Sequence, residues 1–577
     1  MDNIQEVSLL IEGQVFKANK DTLSEHSDYF RAMFSGNYVE QEQREITIDV
    51  VDSDSMNIIL RYMDMGLVDL SELSLSTIGD LAEAANFLQI TELIKQIKYF
   101  LGLQLSLNNW VDTMSIAEKA YYSELEQLCA AYGLYSFKIM KPEHIPSIHK
   151  LFWYLSHPYL DAECELDVFN FGLKWILQSE TGADALVIIL GCLDMTRLTK
   201  QELKEIKELT KEFEYSLAEK VIGCLLKLST DDELSVTAIA TNKTSLCETY
   251  TERVYTEVLN LVKESIKRKL EYTPVVPLWV LGDTGPILAP HYLYTFTKKD
   301  GYKQWLEVAD KDLWGWNVVS WGATKLAVVC GEHGRGTGKF MKDVKVYDTL
   351  TKEWTKHGVQ LPARRHGGVT VLGDTLFILG GVGGFRILLD TAIAYDLKQR
   401  SYRSIAKIPN AIQNPAVCVH KNKVYTAGQR NIYIYDDHGE SDTWRTVLKT
   451  HIMANCMVSY KEYIYIAQNY FSTLYRFRPD IDTHLEEITT LSHPPASICI
   501  IGDKLFAFKA IMLQPDVLAV EEFTPDNPKE KPKNVWQTKN TGLIVNEVAG
   551  TCSVVTTMPP INPGITDYHK RYLSRYN

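Results

Sequence analysis

Residues 364–384 read RRHGGVTVLGDTLFILGGVGG, and this stretch decides the fold of the larger part of the chain. A β-run, a glycine turn and a second β-run lead to the double glycine Gly380-Gly381. A strand must stop there beside a crowded central channel, where no side chain fits. The same kind of unit recurs on both sides. In each, a β-run and a turn precede an aromatic pair: Tyr294 and Trp305, Tyr347 and Trp354, Tyr395 and Tyr402, Tyr435 and Trp444, Phe477 and His484, Phe523 and Trp536. The leading aromatics stand 40 to 53 residues apart, a spacing that predicts a repeat of short β-units, each with a buried aromatic core. We read six blades of an all-β propeller after Pro277. Some units have decayed: Gly428 stands single, and YIYIAQNY carries no glycine. The first unit lacks its leading strand, and GTCSVVTTM after Gly550 has the pattern to supply it, which would leave no open sheet edge.

Upstream, the periodicity changes twice. Residues 1–130 mix strands and helices. EVSLLIEGQVFKANK predicts a hairpin turning at Glu12-Gly13. Helical patterns follow in DTLSEHSDYFRAMF, in SDSMNIILRYMDMG with Ser53 as N-cap and Gly66 past the end, and in STIGDLAEAANFLQI. Residues 131–271 are helical in period almost throughout, with the polar run STDDELSVTAIATNKTS predicted as a flexible stretch. EYTPVVP, with Pro274 and Pro277, marks the boundary to the propeller at 272–577.

Composition narrows the function. A net charge of −13 argues against non-specific binding to nucleic acid or to an anionic membrane surface. Ten cysteines are scattered with no CxxC pair, which predicts reduced thiols and no structural zinc. With no apolar leader and no run of about 20 apolar residues, the expected compartment is intracellular, a cytoplasmic protein with room for a nuclear pool. GEHGRGTGKF resembles a phosphate loop only in part: the first glycine position is His333, the hydroxyl position is Phe340, and no helix pattern follows. Cys330 and His333 lack a second ligand pair. Without a GxSxG or HExxH motif either, we expect no enzyme, no metal and no cofactor.

Taken in order, the three regions resemble the BTB–BACK–Kelch family over nearly the whole chain. VFKANKDTLSEHSDYFRAMFSG, a strand and LAEAANFLQI carry the BTB likeness; ELDVFNFGLKWI, with Glu165 before Val168-Phe169 and Trp175-Ile176, carries that to BACK. The resemblance implies an α/β BTB domain, an all-α BACK domain and a six-bladed Kelch propeller. It implies BTB homodimerisation, binding of the cullin-3 scaffold of a ubiquitin ligase, and a propeller that presents a protein substrate. The family's cullin contact, a hydrophobic residue, any residue and Glu just past MFSG, falls on Tyr38, Val39 and Glu40. Its substrate-reading loops fall on Arg335 and Arg386 after the glycines and on Arg365, beside Arg364 and His366, before a strand. Converging guanidinium groups would favour an acidic or phosphorylated segment. The family's pocket Asp and His are replaced by Glu6 and Asn19, its Tyr-Thr-Gly by Asp64-Met65-Gly66, and its Asn-Cys by Asn109-Trp110. A dimeric scaffold gripping the cytoskeleton is the alternative, and would not need Tyr38 and Glu40.

Overall fold

The computed structural model describes residues 6–576 apart from 36–42, 180, 183, 214–215, 229–235, 283–284, 287–290, 310–311, 438, 440, 469, 511–516, 540–541, 547, 563, 565–566 and 575. They fall into two compact units, 1–270 together with 558–577, and 271–557.

The first unit opens with the expected hairpin. Strands Glu6–Ile11 and Gln14–Asn19 pair antiparallel around Glu12 and Gly13, at φ 49° and 79°. Glu45–Thr47 runs parallel to the first strand, and the alternate residues Val7, Leu9 and Ile11 are buried, as a one-sided sheet requires. Asn19 caps the helix Lys20–His26 by accepting from the Asp21 N–H. One helical pattern becomes two helices, because Ser27 is extended (φ −128°) before Asp28–Ser35. The cap of Ser53–Met65 is Asp52, not Ser53: the Asp52 carboxylate accepts from the Ser55 N–H at 2.8 Å, which seats Ser53 inside the first turn. Gly66, at φ 78°, ends this helix as expected. Trp110 is fully buried, and a Cβ on Gly133 would stand 2.7 Å from its ring. The helical region continues through Ile148–Leu155, Glu165–Gln178, Lys200–Leu209 and Glu252–Lys263. Within the run expected to be flexible, Val236–Thr241 and Lys243–Thr249 are helices; residues 229–235 lie outside the described residues.

The C-terminus corrects the expected domain boundary. Residues 558–577 do not belong to the propeller; they pack on the helical unit. Gln127, Trp153 and His157 donate to the carbonyls of Pro559, Ile561 and Pro560 at 3.1, 3.0 and 2.9 Å. The helix Asp567–Leu573 buries His569, Tyr572 and Leu573. A seven-residue helix is too short to stand alone in water, so packing is what forms it.

This strap is pH-sensitive. The Tyr159 N–H donates to His157 Nδ1, which leaves Nε2–H to donate to Pro560. The His569 ring lies 4.2 Å from that of Phe152. Burial pushes both imidazoles from 6.5 down to about 4; Arg268 adds to the effect on His157, while Glu264 and the Gly191 carbonyl oppose it on His569. Below its ordinary pKa each histidine charges in the unfolded chain but not in the fold. Their contribution is therefore whole above pH 6.5 and lost as the pH falls from 6.5 towards 4. Hydrogen exchange across 558–577 is expected to quicken over that window, and His569→Phe to blunt the change.

The second unit is a closed ring of six sheets. Its inner strands Asn317–Trp321, Gly368–Leu372, Val417–His420, Ala454–Tyr460, Pro495–Ile501 and Cys552–Val554 touch in sequence, and the last touches the first. Blades two to six are four-stranded antiparallel sheets. Blade one is built on Thr273–Gly282, His291–Thr297 and Gly301–Ala309. Its inner edge comes from the C-terminal side, from Leu543–Val545 and Cys552–Val554. Pro274 and Pro277 lie inside the first of these strands rather than ahead of it. The two inner segments leave a gap opposite Val276-Pro277, so the N–H that Pro277 lacks is not called for on that side. Tyr347 faces Trp354, and Tyr435 faces Trp444, each pair with ring centres 5.2 Å apart. The double glycine is as crowded as its sequence implies: a Cβ on Gly380 would meet the Ile412 carbonyl, and one on Gly381 the Arg365 carbonyl, both at 2.7 Å.

Candidate functional site: the loop end of blades two and three

Adjacent antiparallel strands reverse direction, so every second connection lies at the same end of its blade. Residues 330–343, 358–367 and 380–391 are such connections. In the first, Glu332–His333 pairs with Leu313–Trp314. The glycine loop that follows wraps an anion, and that anion is the protein's own Glu332. Its carboxylate accepts from the Gly336 and Gly338 N–H groups at 3.1 and 2.8 Å and pairs with Arg365. Burial alone would raise the Glu332 pKa, but these N–H bonds and the guanidinium hold it below the carboxylate range.

The arginines divide by role. Arg364 is buried, and its guanidinium donates to the Gly380 and Thr391 carbonyls at 3.0 and 3.2 Å, tying two connections of blade three together. Arg365 is 12% exposed and committed to Glu332. Its neighbour His366 has φ 57° and donates its N–H to the Gly315 carbonyl. Burial, with Arg365 and Arg335 nearby, pushes its imidazole down to about 4, so it is neutral at physiological pH. Arg335 is exposed, its guanidinium carbon 5.6 Å from the centre of the Trp314 ring, whose Nε1–H donates to Asp312. Arg386 is exposed too, and its Nη2 comes within 3.9 Å of where a Cβ on Gly336 would stand. The loops of the two blades therefore meet, and Arg335, Arg365, His366 and Arg386 share one neighbourhood. Only Arg335 and Arg386 keep an open guanidinium; neither has an acidic partner among the described residues.

Sequence reasoning missed the apolar part of this surface. The turn Gly384–Arg386 holds Phe385 at φ 54° and Arg386 at φ 60°. Phe385 is 100% exposed, Ile387 60% and Leu388 50%. The signal was present in GGFRILLD: an apolar run placed in a loop with no strand partner. Met453, Tyr470 and Phe471 are exposed on the corresponding connections of blades four and five. Among described residues, the only large exposed apolar side chain on the connections at the opposite end is Ile481.

Tyr38, Val39 and Glu40 lie outside the described residues. Among the described residues, no three His, Cys, Asp or Glu side chains group as metal ligands, and no helix is long and apolar enough to cross a membrane. All ten cysteines are free thiols.

Residues 2–105 match the BTB/POZ domain, and residues 363–409 match the Kelch motif. The chain is 24% identical over 426 residues to Kelch-like protein 15 of Danio rerio, covering 65% of this chain and 67% of that protein. It is 28% identical over 233 residues to Kelch-like protein 40 of Xenopus tropicalis, covering 37% and 36%. It is 21% identical over 439 residues to human Kelch repeat and BTB domain-containing protein 6, covering 74% and 62%. With a BTB/POZ match, a Kelch-motif match, a helical middle and antiparallel blades in one polypeptide, the chain is similar to the BTB–Kelch family. Proteins of this family are adaptors that bind other proteins rather than enzymes.

Proposed function

We propose that this chain is the substrate-recognition adaptor of a cullin-3 RING ubiquitin ligase, working as a homodimer through its BTB domain. The observation that carries the reading is the division of labour in one chain: a BTB–helical unit, and a closed propeller that leaves two guanidinium groups and an apolar loop uncovered at one end. The adaptor makes and breaks no covalent bond. It raises the local concentration of substrate lysines beside a charged conjugating enzyme, so its effect is positional. In this reading Tyr38 and Glu40 anchor the cullin, Tyr38 as an amphipathic aromatic and Glu40 as a charged acceptor, and the protein works in the cytoplasm with a nuclear pool. Calorimetric titration of the full chain with the cullin-3 N-terminal domain is expected to give sub-micromolar binding. Tyr38→Ala or Glu40→Ala is expected to weaken it by roughly tenfold or more, about 1.4 kcal/mol. Undiminished affinity in both variants would remove the tripeptide from the contact.

A further inference from the structure

We propose that the propeller's partner is a protein segment with an acidic side chain close to a bulky apolar one, docked across the meeting loops of blades two and three. This deepens the adaptor reading and rests on it for the partner being a substrate. The apolar half of the argument is Phe385. A fully exposed phenylalanine just ahead of Arg386 and the exposed Ile387 and Leu388 is not core, and nothing in the blade needs it. Two successive non-glycine residues held left-handed put it there, a conformation that surrounding structure must impose. Large aromatics and arginines are the residues that carry binding energy at protein interfaces.

The charged half is a local imbalance. Arg335, Lys339 and Arg386 are exposed on these loops without an acidic partner among the described residues. Three nearby acids are already paired with cations, Glu332 with Arg365, Asp343 with Lys356 at 2.7 Å and Asp390 with Lys407 at 3.2 Å. Asp312 accepts from the neutral Trp314 Nε1–H, so one carboxylate stands against three cations. A basic, apolar rim on a chain of net charge −13 selects an acidic segment by complementarity. With Arg365 and Arg364 consumed inside the fold, the surface is an apolar step flanked by two guanidinium groups, which asks for a large apolar side chain as well as a carboxylate.

The test is selection of random linear peptides, displayed on phage, against the intact chain. Enriched peptides are expected to carry Asp or Glu within a few residues of Leu, Ile, Phe or Trp. The synthetic form of the best peptide is expected to bind Phe385→Ser and Arg386→Glu roughly tenfold more weakly, and a Glu→Arg peptide to recover affinity for Arg386→Glu. Both positions are exposed, and an unchanged melting curve confirms each variant's fold. Basic or wholly polar peptides, undiminished affinity in both variants, or binding of phosphatidylserine vesicles in place of peptides would overturn the proposal. Cullin-3 affinity is read separately on the same variants. Absence of cullin-3 binding in the wild-type chain would sink the adaptor reading while leaving peptide docking standing, and cullin-3 binding with no peptide enriched would do the opposite.

Discussion

Glu165→Ala is expected to destabilise the helical unit by about 3 to 5 kcal/mol, the cost of leaving a buried charge without its partner. Glu165 is fully buried at the start of Glu165–Gln178 and grips Arg268 with both oxygens, at 3.0 and 2.9 Å. Arg268 donates onward to the carbonyls of Leu155, His157 and Cys192, so every guanidinium N–H is placed. The pair thereby pins the segment that leaves the last long helix against three other elements, while Glu165 also accepts from the Asp194 N–H. Arg268→Ala should cost a similar amount, and the double variant clearly less than the sum, because neither partner is then left alone. With two units in one chain a single unfolding free energy is ill-defined. Hydrogen exchange in Ile148–Leu155 and Glu165–Gln178 gives the helical unit's own response. Unchanged protection in Glu165→Ala would refute the central role of this pair.

Ending the chain at residue 557 is the second large effect. It removes the partners of Gln127, Trp153 and His157 and uncovers Phe152. Burial of His569, Tyr572 and Leu573 contributes about 1.5 to 3 kcal/mol for each large side chain, offset by the cost of ordering the tail. A net loss of about 3 kcal/mol from the helical unit is expected, with faster hydrogen exchange in Ile148–Leu155. The propeller, whose last strand is Cys552–Val554, should keep its protection. Equal loss in both units, or loss in neither, would contradict the assignment of the strap. A fragment of residues 1–270 alone therefore lacks part of its own core.

What was legible in the sequence was what periodicity and glycine control. The aromatic spacing read the blades, Gly380-Gly381 read the crowded strand end, and the pattern after Gly550 read the closing strand. What was not legible depends on long-range partners. Nothing in DYHKRYL says that it packs against residues some 400 positions away, since its apolar face is two residues and a histidine. ARRHGG looked like a basic loop, yet Arg364 turns inward to backbone carbonyls and Arg365 to Glu332, whose carboxylate is already held by the N–H groups of Gly336 and Gly338. Lys509 and Glu521 form a fully buried ion pair in blade six that no local pattern announces. Phe385 shows the converse: an apolar loop residue that the fold leaves uncovered.

The most direct test of the adaptor reading is the mass, by light scattering on a sizing column, of the intact chain mixed with the cullin-3 N-terminal domain. The account predicts one species with the mass of two chains and two cullin domains. A folded chain, monomeric or dimeric, that elutes apart from the cullin domain would contradict it and return the protein to a scaffold role.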